Sequence, residues 1–155
     1  MMKPTLQTLL ASIMAASIGM VLLGCKSLDK PASASFASVQ IRGHTPEQIR
    51  AATVVVFEQD GYAATDIRRP ELVFEKEGSQ WDKIAYGSFG DDAAIWIRVK
   101  VSVVPLSPEL CRLQCQAYRV RNRGDAVFED QVQLRHNKSK PYQALLDKVL
   151  GQVNR

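Results

Sequence analysis

Residues 95–104 read IWIRVKVSVV, and the alternation in that stretch decides the fold. Ile95, Ile97, Val99, Val101 and Val103 point one way, and Arg98, Lys100 and Ser102 point the other. Successive side chains of a strand project to opposite faces, so this pattern predicts a strand with one face in a core and the other in water. Downstream, Pro105-Leu106-Ser107-Pro108 predicts a hairpin loop, and Arg112 to Arg121 is its partner strand. Asn122-Arg123-Gly124-Asp125 predicts a tight turn, and Val127 to Leu134 a last strand. Upstream, Leu72 to Lys76 predicts a strand closed by Glu77-Gly78-Ser79, preceded by a short one from Gly61 to about Thr65. Val39 and Ile41 alternate with Gln40 and Arg42 in a first short strand.

Two helices frame these strands. Thr45-Pro46-Glu47-Gln48 is a helix start: Thr45 can cap, Pro46 suits the first helical position, and Gln48 stands where a capping-box partner belongs. Ile49, Ala52 and Val56 then fall on one face, flanked by Val55 and Phe57, and Asp60-Gly61 supplies the stop. The β-branched run from Thr53 to Val56 also fits a strand, and the cap and the Gly stop favour the helix. Ser139-Lys140-Pro141 opens a second helix, whose Tyr142, Leu145, Leu146, Val149, Leu150 and Val153 form an apolar stripe. The order is β-α-β-β-β-β-β-α. Short connections make successive strands antiparallel, and two helices with one apolar face each can cover one side. The expectation is an α+β two-layer sandwich, with an antiparallel sheet of five to six strands and both helices on one face. Leu146 and Val149 are expected to pack on Val99 and Val101. The order is similar to that of helix-grip folds, including domains of some outer-membrane-assembly lipoproteins, and this resemblance implies a fold and not an activity.

The N-terminus carries a different signal. Lys3 is followed by an uncharged, apolar or small stretch from Leu9 to Leu23. That is the length of a signal-peptide core and short of the roughly 20 apolar residues a spanning helix needs. It ends in Leu22-Leu23-Gly24-Cys25, which resembles the lipobox of bacterial lipoproteins. The resemblance implies cleavage after Gly24, lipidation of the Cys25 thiol, and retention in a membrane by two or three acyl chains. Lys26, where the proteobacterial inner-membrane signal has Asp, implies the outer membrane, with the chain facing the periplasm. Residues 1–24 are thus expected to be the signal, 25–38 a Ser-, Ala- and Pro-containing tether, and 39–155 one α+β domain.

Little in the domain reads as chemistry. The chain carries a net charge of +4, falling by one if Lys3 is removed with the signal; this is too mild to argue for nucleic acid. His44 and His136 lack partners at metal-ligand spacing, so no metal and no cofactor is expected. Gly87-Ser88-Phe89-Gly90 lacks the Lys of a phosphate loop, Asp91-Asp92 reads as a solvated turn, and Asn137-Lys138-Ser139 is a chance sequon. Cys111 and Cys115 would meet an oxidising compartment. On one extended strand their Cα atoms would stand about 13 Å apart, against the roughly 4.4–6.8 Å a disulfide needs; a turn before Leu113 would allow a bond.

Arg98, Lys100 and Arg121 could belong to a cationic sheet face that meets an anionic lipid or an envelope protein, or to a solvated surface. Arg119 and Arg121 share the parity of Leu113 and Cys115, so reaching that face requires a bulge near Ala117; otherwise the sheet end is uncovered. The functional expectation is a non-catalytic interaction or scaffold module of the envelope. A carrier of lipid or another amphiphile comes second, and an enzyme last.

Overall fold

The structure, a computed structural model, describes residues 36–79 and 94–155. The signal, Cys25, Gly87 to Gly90 and Asp91-Asp92 lie outside the described residues.

The elements run β1 (Ala37–Arg42), α1 (Pro46–Gln59), β2 (Ala63–Asp66), β3 (Glu71–Glu77), β4 (Trp96–Ser107), β5 (Leu110–Arg121), β6 (Asp130–Gln133), a single 3-10 turn (His136–Lys138) and α2 (Lys140–Val153). The sheet order is β1-β5-β4-β3-β2, every pairing is antiparallel, and β6 also pairs with β5. One edge of β5 is therefore shared, with β1 along residues 110–115 and β6 along 118–121. The α+β class and the element order are those the alternation implies.

Three boundaries differ from the sequence reading. β1 starts at Ala37 and Phe36 is buried, so the fold begins inside the stretch assigned to the tether. β4 runs on through Pro105 to Ser107 with a register irregularity, leaving only Pro108-Glu109 between β4 and β5. Val127 and Phe128 are not in β6, because Asp125 Oδ1 accepts both their backbone N–H groups, at 2.9 and 3.0 Å. A side chain competing for those donors keeps the segment in a turn.

Thr45 caps α1 as its sequence implies. Gln48 N–H donates to Thr45 Oγ1 at 3.3 Å, and Thr45 N–H to Gln48 Oε1 at 2.9 Å. Ile49, Thr53, Val56 and Phe57 are the buried face, and Thr53 Oγ1 donates to the Ile49 carbonyl, so its hydroxyl is buried satisfied. Phe57 stacks on Phe74 of β3 with centroids 4.5 Å apart. Gly61 follows at φ 86, a left-handed conformation that suits glycine.

Both helices share one core with the inward side of the sheet: Ile41, Leu72, Phe74, Val99, Val101, Leu113, Leu146 and Val149 are fully or almost fully buried in it. α2 nevertheless packs mainly on α1 and β1, and it is α1 that lies over β4 and β2. Leu146 and Val149 are buried in the same core as Val99 and Val101, while the backbone of α2 runs nearest α1 and β1. α2 follows β6, which lies on the edge of β5 that β1 shares, so β1 is the strand it meets. Gln143 of α2 completes the arrangement: its Oε1 accepts from Ser38 N–H and its Nε2 donates to the Ser38 carbonyl, both at 3.1 Å. The amide stands in for a further strand and covers part of an open sheet edge.

Candidate functional site

The face turned away from the helices is built by register. β3 places Glu75 opposite Arg98 and Glu77 opposite Trp96. Arg98 Nε donates to Glu75 Oε1 at 2.6 Å; its Nη1 donates to Glu129 Oε1 at 2.6 Å and to Gln131 Oε1 at 3.0 Å. Arg123 donates through Nε to the other oxygen of Glu75, and its guanidinium lies 4.0 Å from the Trp96 ring centroid. Glu129 Oε2 accepts from Gly124 N–H at 2.9 Å. The Glu75 side chain is 5% exposed and that of Arg98 16%. Two carboxylates and two guanidiniums thus close on each other in a neutral cluster.

That cluster is electrostatically locked. The hydrogen bond from Arg98, helped by the Gly124 N–H, holds the Glu129 carboxyl down at about 2. Reciprocally, the hydrogen bond to Glu129 raises the Arg98 guanidinium above its ordinary value. Neither group is poised to exchange a proton near neutral pH.

Glu129 also ends the turn joining β5 to β6. Asn122 has φ 51, its Nδ2 donates to the Phe128 carbonyl at 3.1 Å, and Glu129 N–H donates to the Asp125 carbonyl at 3.1 Å. The turn is tied internally at both ends, yet Val127 is 80% exposed and Phe128 69%. Next along the chain, a cleft of about 440 Å³ is lined by Arg119, Val132, Leu134, Arg135, Asn137 and Lys138, together with Gln133.

The structure does not bring Arg98, Lys100 and Arg121 together. Pairing of β4 with β5 is continuous from Trp96–Val120 to Val104–Arg112, with no bulge at Ala117. Arg121 therefore lies on the helix side, at an end the helices do not bury, opposite Asp130. Arg98 is engaged by carboxylates, and Lys100 lies 4.9 Å from the Tyr118 ring centroid. The single cationic face is replaced by a mixed one, because β3 contributes Glu71, Glu75 and Glu77 to the same side.

Cys111 and Cys115 are both free and buried on the helix side of β5. The strand runs unbroken between them, and extended geometry keeps them apart, so the possible disulfide is not formed. Burial pushes the Cys115 thiol up to about 12, which makes it a core side chain and a poor nucleophile. His44 Nε2 is 3.1 Å from Asn154 Oδ1, a contact between chain segments. Among the described residues no group of three or more His, Cys, Asp or Glu could hold a metal ion, and no helix is long and apolar enough to cross a membrane.

No protein-family model matches the sequence, and no curated protein does. Among solved structures, the chain is similar to the adenylate sensor of AMP-activated protein kinase, crystallised with 5-aminoimidazole-4-carboxamide ribofuranotide. The identity is 14% and the TM-score 0.44, over 76% of this chain and 95% of that one. Nothing about that protein's ligand passes to this chain at such a level of likeness.

Sequence reading found the tight turn at Asn122–Asp125, closed by Asp125 N–H donating to the Asn122 carbonyl at 3.0 Å, but missed the cluster, the continuation of that turn to Glu129 and the cleft. Glu75 and Glu129 are 23 and 31 residues from Arg98 and meet it only through strand register. Val127-Phe128 looked like the start of a strand, and Asp125 two residues before was the available signal of a turn.

Proposed function

We propose that the chain is a lipid-anchored, non-catalytic interaction module of the bacterial cell envelope. It is tethered through Cys25 to the outer membrane on its periplasmic side, and it engages an envelope protein through the turn between β5 and β6. Leu22-Leu23-Gly24-Cys25 after an apolar run supports the anchor. The observation that carries the interaction reading is Val127-Phe128, two large apolar side chains held in water by a turn whose own hydrogen bonds are made. Burying one such side chain is worth about 1.5–3 kcal/mol, and a fixed turn loses little further entropy on docking. The sheet–helix interface, by contrast, is filled by Ile49, Phe57, Phe74 and Leu146, all fully buried, so the carrier reading draws no support from it.

The test is a photoreactive amino acid at position 128 of the full chain in cells, with position 58 on the exposed back of α1 as control. The reading expects a discrete adduct from 128 that Val127→Asp abolishes, and none from 58. Equal adducts from both positions, or none from 128, would overturn it.

A further inference from the structure

We infer that the cleft beside β5, β6 and the 3-10 turn binds the phosphate group of an organic phosphate ester. This does not depend on the proposed interaction turn. Three cations line the cleft. Arg119 stands on β5 opposite Val132 of β6, and Leu134 N–H donates to the Ala117 carbonyl at 2.8 Å, extending the pairing past Gln133. Arg135 precedes the 3-10 turn in extended conformation and Lys138 ends it, Lys138 N–H donating to the Arg135 carbonyl at 2.9 Å. Among the described residues neither forms an ion pair. The sequence supplies no relief: residues 131–146 contain Arg135, Lys138 and Lys140 and no Asp or Glu.

The same run leads into α2, whose first turn has no acidic residue, whereas α1 has Glu47 there. Positive charge near a helix N-terminus opposes the helix dipole. The ligand chemistry follows from charge and shape. A carboxylate would neutralise one of the two cations that form no ion pair, whereas a phosphate monoester carries about −1.5 to −2 and offers three acceptor oxygens. A guanidinium fork matches those oxygens, and the Asn137 amide adds a donor. Val132 and Leu134 give the cleft an apolar side for the carbon of an ester, and its volume suits a headgroup-sized ligand.

The ester can be a lipid headgroup or a free solute, and one experiment separates them. The full chain in neutral detergent micelles is titrated with glycerol phosphate, and separately in micelles doped with phosphatidic acid, a lipid phosphate monoester, or with phosphatidylcholine. The amide signals of Asn137 and Lys138 are followed by NMR. Saturable shifts with glycerol phosphate assign a free ester, and shifts with phosphatidic acid and not phosphatidylcholine assign a headgroup. In either case Arg135→Gln/Lys138→Gln should weaken binding by at least about tenfold. Arg42→Gln/Arg68→Gln, an equal charge change elsewhere, should leave it unaltered. No saturable shift with any probe, no loss in the cleft variant, or equal loss in both variants would overturn the inference.

Discussion

Glu129 is the carboxylate of the outer face whose pKa is held down, chiefly by the hydrogen bond from Arg98. Its carboxyl titrates at about 2 in the folded chain, against an ordinary value of 4.5. A depressed carboxylate contributes stability above the unfolded value and loses it as pH falls through the folded one. Unfolding free energy should therefore decline between about pH 4.5 and about pH 2, and Glu129→Gln should flatten that part of the profile. Urea midpoints measured across this range check it, and an unchanged slope in the variant would contradict the assignment. The polar side of β4 was legible in the sequence, but what it meets was not. Alternation says that Arg98 leaves the core; only the pairing of β3 with β4 says that Glu75 waits there. For Cys111 and Cys115 the sequence left a bond open if a turn preceded Leu113, and the unbroken run of β5 through both residues removes that condition.

At the scale of elements, alternation and caps carried most of the fold. The period-two run of β4, the Thr45 capping box and the apolar stripe of α2 are local signals, and each produced its element. Where a helix docks is not local. α2 lies on β1 and α1 because β6 sits on the edge of β5 that β1 shares, which no spacing within α2 encodes. Leu146 is nonetheless fully buried in the shared core. Leu146→Ala should cost about 2–5 kcal/mol in urea unfolding, as the transfer of the lost methyl groups and the cavity left behind add together. A loss below about 0.5 kcal/mol, the range of an ordinary surface change, would mean that α2 is not held there.

Across the whole molecule, the features divide by position. The helix side is core, and the outer face is a neutral, locked cluster. The segment that runs from the β5–β6 turn through β6 to the 3-10 turn carries the exposed apolar pair at its start and the cationic cleft at its close. On the proposed lipid anchoring, such surfaces gain from the tether, because confinement near one membrane raises the effective concentration of whatever they meet there. That advantage rests on Cys25. The direct measurement is metabolic labelling with a radiolabelled fatty acid in bacterial cells producing either the wild-type chain or Cys25→Ser, with the chain isolated and its label counted. The account predicts label in the wild type and none in the variant. Label that persists in Cys25→Ser, or a wild-type chain without label, would contradict it.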